Sequence, residues 1–361
     1  MKKYLPITAL IFIIVLIQII TTLSCMEFYL TQLTMSAYYS IVIIGLSVLL
    51  GYAGQISIGH AAFFAMGGYT SAVLTTINLA NIKNNFFINI IKGLGFTIIG
   101  KNAYGADIEH INPWFSLIAA VLITATVAFL IGIPILKLKG HYLAMATLGL
   151  GIFVYRIVLG TKIFGEADGI SEIPHFTLIG NLTVSGDPLY RVQNYYIAAF
   201  LVVIGIIILL NLISSRVGRA LRSIHGNEEA ASAMGINIAN YKLAIFVLSA
   251  VYACIAGVFL THFNGGIGPS EADVMKSVSY VAIVAVGGMS NIWGALFMGL
   301  LLNYLSLRGY FGSLDEFVFG GILIIIMLFF PDGLLKKENF QFINKAIIKF
   351  KNKTSNKNEL S

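Results

Sequence analysis

The amino-acid sequence predicts an all-α, polytopic integral membrane protein, and three observations lead to this fold class. Hydrophobic residues make up 58% of the 361 residues and charged residues only 11%, whereas about a quarter of a soluble domain is charged. Apolar runs of about 20 residues, the length that crosses a bilayer, recur along the chain. Lysine and arginine collect between those runs and in the tail, as the positive-inside rule requires. We therefore expect roughly eight to ten transmembrane or re-entrant helices, with both termini in the cytoplasm.

The first apolar run, 5–23, follows Lys2 and Lys3 and precedes Cys25. This order loosely resembles a cleaved lipoprotein signal, but the run is long enough to span a bilayer and further spans follow at once. We interpret it as an uncleaved first helix whose lysines hold the N-terminus in the cytoplasm.

The same length criterion places the remaining helices. Further spans are expected at 29–50, 60–80, 114–136, 142–160, 195–213, 241–263 and 316–330. A longer apolar stretch, 277–305, is broken at its middle by the sequence GGMSNIWG. Nine crossings from a cytoplasmic start would leave the lysine-rich tail outside, so one stretch must be re-entrant or be split into two crossings. The glycines of 277–305 make it the best candidate.

These helices predict one transmembrane domain over 1–335 and a basic cytoplasmic tail over 336–361. The tail alternates apolar residues with lysines up to Lys353, so it either lies on the membrane surface or is disordered. Three hydrophilic segments separate the spans. On this count 81–112 and 161–194 lie outside, as solvated loops or as surfaces that receive a partner, and 214–240 lies inside.

The stretch 51–69, GYAGQISIGHAAFFAMGGY, is too polar and too rich in glycine for an ordinary span. In lipid, irregular polar backbone is tolerated only where it is buried in protein or lines a water-filled cavity. The stretch therefore predicts a segment that faces a translocation path, with a short half-helix at 57–65. For Gln55, Ser57 and His60, hydrogen bonding between helices is an equally good interpretation. The candidate path residues are Gly54, Gln55, Ser57, Gly59, His60, Gly67, Gly68 and Tyr69, with Gly287, Gly288, Asn291, Trp293 and Gly294 from the second broken stretch.

A long charged segment between spans, 214–242, reads SSRVGRALRSIHGNEEAASAMGINIANYK. Asn227 can cap a short helix that has acidic residues in its first turn, and Gly235 can stop that helix. The pattern predicts an element that docks another protein. A basic loop that only obeys the positive-inside rule would explain the arginines, but not the Asn-Glu-Glu-Ala-Ala run. The candidate docking residues are Gly218, Arg219, Asn227, Glu228, Glu229, Ala230, Ala231 and Gly235.

Six blocks between about residue 30 and residue 335 resemble, in order, the LivM-type permeases of branched-chain amino acid ABC importers. They are GYAGQISIGHAAFFAMGGYTSA (51–72), LKGHYLAMATLGLG (138–151), GEADGISEIP (165–174), GRALRSIHGNEEAASAMGINIANYKLAIFVLSA (218–250), GGMSNIWGA (287–295) and PDGLL (331–335). The fourth block is similar to the EAA loop of ABC importer permeases, with Glu229-Ala230-Ala231, Gly235 and Ile245. The usual Leu-Pro after that Ile is missing, as in many members of this group. His225-Gly226 stands where family members commonly have Arg-Glu, so detailed ion pairs with an ATPase are not transferred.

The resemblance implies a multi-pass protein of the bacterial inner membrane that pairs with a homologous, LivH-like second permease. It also implies two cytoplasmic ABC ATPase subunits, which use ATP and Mg²⁺, and an extracytoplasmic binding protein that delivers the substrate. Substrates in the family are mostly leucine, isoleucine and valine, with urea and short amides in near relatives.

The residues themselves exclude several other classes. No GxxxxGK[ST] phosphate-binding loop occurs, so this chain must either be passive or borrow ATP hydrolysis from another protein. Neither metal-ligand spacing nor a nucleophile motif appears, and we expect no catalytic residue, metal or cofactor on this chain. Its basic residues are spread between apolar segments, which indicates lipid headgroups and not nucleic acid.

Charge inside the spans separates the remaining alternatives. Arg156 and His60 are the main titratable candidates there, and this scarcity favours an ATP-driven permease over an ion-coupled carrier. A secondary amino acid carrier stays the alternative, since such carriers can bind sodium through backbone carbonyls. A membrane scaffold without transport would not explain the glycine-rich breaks.

Overall fold

The computed structural model describes residues 5–77, 97–101, 107–138, 140–180, 182–310 and 312–329. Within these ranges the chain forms α-helices joined by short turns, loops and small sheets. The helices are α1 (Leu5–Leu23), α2 (Phe28–Ala53), α3 (His60–Thr76), α4 (Pro113–Ile135), α5 (His141–Gly160), α6 (Arg191–Ser214), α7 (Arg216–Gly226), α8 (Glu228–Ala233), α9 (Ile238–Asn264), α10 (Val274–Gly287), α11 (Ile292–Leu307) and α12 (Asp315–Phe329). The strands are β1 (Thr97–Lys101), β2 (Asp107–Ile111), β3 (Ile170–Ser171), β4 (Phe176–Ile179), β5 (Leu182–Val184) and β6 (Gly266–Ile267).

The predicted all-α membrane fold is confirmed. In the described part of the chain, six helices are long and apolar enough to cross a membrane, namely α1, α2, α4, α5, α6 and α9. The first helix coincides with the apolar run that predicted it. Local chemistry sets other boundaries: α4 begins at Pro113 because the Asn112 side chain accepts a 3.0 Å hydrogen bond from the Trp114 backbone N–H, and proline suits the first helical position.

The centre of the fold is α2, which is buried over most of its 26 residues. It packs against α6, α9, α10 and α11. Its sequence is apolar around the whole circumference, with Ser, Thr, Tyr and one Gln interspersed, which is the pattern of a helix enclosed by other helices.

Contacts along α2 define two ends of the bundle. At its C-terminal end the Tyr52 hydroxyl donates to the Ser290 carbonyl in the turn between α10 and α11, at 3.0 Å, and α7 packs beside it. We call this the docking end. At the opposite end, which we call the strand end, the Arg308 guanidinium lies 4.4 Å from the centre of the Tyr29 ring. Helix α11 therefore runs antiparallel to α2.

The stretch 277–305 is split into α10 and α11, with its turn at the docking end. This confirms the predicted break. Apart from α7 and α8, the described part of the chain has ten predominantly apolar helices, within the predicted range. The side of the membrane on which each terminus lies stays a prediction.

Helices α3 and α9 run parallel and in direct contact. Near the start of α3, His60 Nε2 lies 2.7 Å from Ser249 Oγ of α9. Further along, Ser71 Oγ lies 2.8 Å from His262 Nε2. Since α9 runs from the docking end to the strand end, α3 begins beside the middle of α9 and ends near the strand end.

Small residues bring the two helix backbones together. A Cβ atom placed on Gly257 of α9 would lie 2.0 Å from the Phe64 carbonyl oxygen of α3, and one on Gly67 would lie 2.4 Å from the Cys254 carbonyl oxygen. Because lipid tails are as apolar as the side chains, close van der Waals packing of this kind drives helix association in membranes.

Three two-stranded antiparallel sheets, β1–β2, β3–β6 and β4–β5, were not predicted. In the second, Ile170 pairs with Ile267 just after α9, which fixes loop 161–194 onto the strand end. Phe176 of the third sheet is fully buried, with its ring centre 5.3 Å from that of Phe259. The loop is therefore partly packed and not only solvated.

The predicted tail 336–361 and the PDGLL block at 331–335 lie outside the described residues, as does most of loop 81–112. The division into a domain 1–335 and a tail stays a prediction.

Candidate functional site

The docking loop, residues 214–240, folds into two short capped helices. The Ser215 side chain accepts a hydrogen bond from the Val217 N–H at 3.1 Å and begins α7. The Asn227 side chain accepts from the Ala230 N–H at 3.0 Å and begins α8. Gly235 ends the turn after α8 with a φ of +81°, which glycine adopts without strain. The short helix predicted between Asn227 and Gly235 is confirmed.

Helix α8 presents one face to the bundle and the rest to solvent. Of its alanines, Ala231 is fully buried against the bundle. In contrast, Glu229, Ala230 and Ala233 are exposed, and the Met234 residue is 79% exposed to solvent. A projecting helix with small side chains and one large apolar side chain can lie closely on another protein.

Both helices of the docking loop are tied to transmembrane helices. The Glu228 carboxylate pairs with the Lys242 ammonium at the start of α9. The Arg222 guanidinium donates at 2.9 Å to the Ile213 carbonyl at the end of α6. Gly218 is buried and lets α7 turn against the Ile213 carbonyl, because a Cβ on Gly218 would lie 2.2 Å from that oxygen. Arg219 is exposed. The Glu228–Lys242 pair was not predicted, since nothing in the sequence marks residues 14 apart across a turn as partners.

A non-helical segment, 54–59, joins α2 to α3 at the docking end. Gly54 ends α2 in the left-handed region, with a φ of +64°. The backbone after Gly54 bonds to a side chain of another helix: the Ile58 N–H donates to Thr147 Oγ1 of α5 at 3.0 Å. The half-helix predicted at 57–65 is therefore wrong. The helix begins only at His60 and continues to Thr76.

His60 belongs to a closed polar network. Its Nδ1 lies 3.1 Å from Ser57 Oγ, and its Nε2 lies 2.7 Å from Ser249 Oγ. Both Ser57 and His60 are buried. The Ala61 N–H, which α3 leaves unpaired in its first turn, donates to Ser277 Oγ of α10 at 3.0 Å. In this conformation His60 bonds between α3 and α9 while Ser57 bonds to His60, and their role in lining a path stays a prediction.

Gln55 differs from its neighbours. It is 1% exposed, yet among the described residues neither its amide oxygen nor its amide nitrogen has a hydrogen-bond partner. A buried polar group without a partner costs about 1–3 kcal/mol. Such an amide can bind a group from beyond the described residues, which makes Gln55 the strongest path candidate in the broken segment.

The remaining path candidates lie at closely packed positions, and their role in lining a path stays a prediction. Gly287 and Gly294 face each other across the α10–α11 hairpin, since a Cβ on Gly294 would lie 2.0 Å from the Gly287 carbonyl. Gly288 has a φ of +95° and accepts from the Asn291 N–H at 2.9 Å. Trp293 packs against the apolar core. In the first broken stretch Gly59 lies against the Thr147 backbone and Gly68 against Ile267 and Thr261, whereas Tyr69 is buried.

Two charged side chains lie inside the bundle and were not predicted. Glu271 and Lys276 follow α9, in a segment that the sequence placed between spans. In the structure this segment turns back into the bundle, so the Tyr39 hydroxyl of α2 donates to Glu271 Oε1 at 2.9 Å and Lys276 Nζ lies 3.4 Å from the same oxygen. The expectation that Arg156 and His60 are the main titratable groups of the spans is therefore incomplete, and Arg156 is exposed on α5.

Comparison with known proteins gives one family. Residues 28–327 match the family described as "Branched-chain amino acid transport system / permease component". The match begins at the first residue of α2 and includes the docking loop, both broken segments and the charged pair.

Individual relatives agree with that match. The chain is 31% identical to the "High-affinity branched-chain amino acid transport system permease protein LivM" of Salmonella typhimurium, over 84% of this chain and 68% of the relative. It is 25% identical to the corresponding permease protein BraD of Pseudomonas aeruginosa, over 84% and 93%. It is 26% identical to the permease protein LivH of Salmonella typhimurium, over 84% and 92%. No solved structure matches the chain.

Proposed function

Because the chain belongs to the family of permease components of branched-chain amino acid transport systems, we propose that it is one membrane subunit of an ATP-driven importer for leucine, isoleucine and valine. The names of the relatives LivM, LivH and BraD support this class of substrate. Since relatives of two kinds, LivM and LivH, occur in such systems, the second membrane subunit of the proposed complex is a LivH-like permease.

The docking loop is the observation that carries the proposal. The described chain forms a short, capped helix α8 that projects at one end of the bundle with exposed Glu229, Ala230, Ala233 and Met234. Energy must come from elsewhere, because the sequence has no phosphate-binding loop. We infer that α8 docks one of two cytoplasmic ABC ATPases, which bind the ATP and Mg²⁺.

Closure of the ATPases would move the membrane helices through α7 and α8. The Glu228–Lys242 pair connects α8 to α9, and the Arg222–Ile213 hydrogen bond connects α7 to α6. Helix α9 packs along α3, which begins at the broken segment 54–59. A displacement of α8 would therefore be transmitted through α9 to α3 and the broken segment 54–59.

The translocation path is proposed to pass the two broken segments, 54–59 and 288–291, and the end of α2 that precedes the first segment contacts the second at Ser290. Gln55 supplies an amide whose oxygen and nitrogen both lack a hydrogen-bond partner in the described ranges. The glycines there let backbones approach and bend, so their role is to permit the break and not to touch the solute. On this proposal the strand end receives an extracytoplasmic binding protein and the chain lies in a bacterial inner membrane.

Reversal of charge on α8 tests the docking proposal. We expect Glu229→Lys to reduce co-purification of the ATPase subunits with the membrane complex at least tenfold. The reason is that Glu229 is exposed on α8, so a reversed charge there would face the docked ATPase directly. The fold should persist, because a lysine in the first turn opposes the helix dipole by only about 0.5 kcal/mol. The measurement is the ratio of ATPase to permease in the affinity-purified complex.

Asp168→Lys is the matched control, because it reverses an exposed acidic residue at the strand end. It should leave the ATPase ratio at the wild-type value. If Glu229→Lys also leaves that ratio and the ATP-dependent leucine uptake unchanged, α8 is not the docking element and the proposed function loses its main support.

A further inference from the structure

We propose that Glu271, Lys276, Tyr39, Tyr69 and Tyr280 form a site within the membrane that binds the ammonium and carboxylate groups of an amino acid during passage. The inference rests on the proposed function and names the part of the solute that this chain itself recognises.

The cluster lies about halfway along the height of the bundle. Tyr39 is in the middle of α2, about 17 Å along a helix of roughly 39 Å. Glu271 belongs to the 3₁₀ turn Pro269–Ala272, and Lys276 belongs to the first turn of α10. Charged groups at such a depth are costly and usually serve a function.

The hydrogen bonds of the Glu271–Lys276 ion pair are long. Lys276 Nζ lies 3.4 Å from Glu271 Oε1 and 3.3 Å from the Tyr39 oxygen, whereas charge-assisted N–H···O bonds are typically about 2.7–2.9 Å. The Lys276 side chain is 36% exposed and the Glu271 side chain is 18% exposed. An ammonium has three N–H donors and two of them point to Glu271 and Tyr39. The third can donate to an anionic group that approaches the exposed part of the Lys276 side chain.

Three further polar atoms of the cluster are left open. In the described part of the chain, Glu271 Oε2 and the hydroxyls of Tyr69 and Tyr280 are buried without a hydrogen-bond partner. Both tyrosines are almost fully buried, at 2% and 1% exposure. The Tyr280 ring centre lies 6.3 Å from that of Tyr39, and α3, which carries Tyr69, packs against the turn that holds Glu271. A purely structural ion pair would not leave several such atoms open, because each costs about 1–3 kcal/mol.

The open groups match a zwitterion. Glu271 Oε2 can accept a hydrogen bond from an ammonium, while Lys276 and the tyrosine hydroxyls can donate to a carboxylate. One acid and one base leave the site without net charge when it is empty. Urea and neutral amides carry neither ionic group, so the cluster favours an amino acid over those alternatives.

Aromatic rings flank the cluster and can accept an aliphatic side chain. The Phe64 ring centre lies 5.7 Å from that of Tyr39, and the Phe164 ring centre lies 5.6 Å from that of Tyr69. Leucine, isoleucine and valine present the matching combination of a zwitterionic head and an apolar side chain.

Uptake of radiolabelled leucine by the complete transporter in proteoliposomes tests the site, with binding protein and ATP at saturating concentrations. We expect Glu271→Gln and Lys276→Met each to reduce uptake at least tenfold. Lys276→Arg, which keeps the charge, should stay within threefold of wild type. Stimulation of ATP hydrolysis by the loaded binding protein should stay within twofold in all variants. Lys137→Met, which removes an exposed lysine just after α4, is the matched control and should transport as wild type does.

The outcomes separate the site from the proposed function. If the wild-type complex imports leucine with ATP and both charge-neutralised variants import it within twofold, the site is overturned and the proposed function stands. If the wild-type complex does not import leucine with ATP, the proposed function itself fails before any variant is compared.

A second variant decides the question if Glu271→Gln or Lys276→Met does not fold. Tyr280→Phe removes only a hydroxyl that has no partner in the described chain, so its melting temperature should equal or exceed that of wild type. We expect its leucine uptake to fall at least threefold. Wild-type uptake by Tyr280→Phe would overturn the inference.

Discussion

Gly257→Val is expected to disrupt the membrane domain more than any other single substitution considered for this protein. The first added carbon would lie 2.0 Å from the Phe64 carbonyl oxygen and 3.2 Å from the Gly68 nitrogen. Both are backbone atoms of α3, so no side chain can move away and the two helices must separate. Overpacking of this kind costs about 3 kcal/mol, at the upper end of the usual range. The measurement is the thermal unfolding midpoint and the monodisperse yield of the purified protein in detergent.

Gly149→Ala is the matched control for that substitution. Gly149 also lies in an apolar helix, α5, but a Cβ there would meet nothing within 4 Å among the described residues. It should leave yield and midpoint unchanged, or raise the midpoint slightly because alanine favours the helix. Equal midpoints for wild type and Gly257→Val would show that α3 and α9 do not pack as described.

The second large effect is expected for Lys242→Glu, which breaks the connection between α8 and α9. The Lys242 side chain is 10% exposed and that of Glu228 is 35% exposed. Two carboxylates at this partly buried position should destabilise the junction by about 2 kcal/mol, between the values for exposed and buried pairs. We expect leucine uptake by the reconstituted complex to fall at least tenfold, while the ATPases still bind and hydrolyse ATP.

The reversed pair tests whether the interaction itself is responsible. The double variant Glu228→Lys with Lys242→Glu should recover uptake to within about threefold of wild type, although a lysine in the first turn of α8 is slightly unfavourable. If Lys242→Glu transports as wild type does, force does not pass from α8 to α9 through this pair.

The helices and the docking loop could be predicted because their signals are local. Each span is a run of apolar residues, and α8 is defined by a cap at Asn227, acidic residues in its first turn and a glycine at its end. The split of 277–305 followed from its glycines together with the count of crossings. None of these features depends on which helices are neighbours.

Features that depend on the packing of distant segments could not be predicted. Residues Glu271 and Lys276 are close in sequence, but only the return of the chain into the bundle places them beside Tyr39, more than 230 residues earlier. The start of α3 at His60 depends likewise on Thr147 and Ser249, which hold the preceding segment and the ring in place. The sequence also gave no indication that strand β3 would pair with β6.

Leucine uptake with and without the ATPases shows whether ATP hydrolysis drives transport through this chain. Proteoliposomes would contain this chain with its partner permease, either alone or with the ATPases, loaded binding protein outside and ATP inside. We expect uptake only when the ATPases are present, with loss of uptake when a non-hydrolysable ATP analogue replaces ATP. Uptake by the membrane subunits alone, driven by a sodium or proton gradient, would contradict it and identify a secondary carrier.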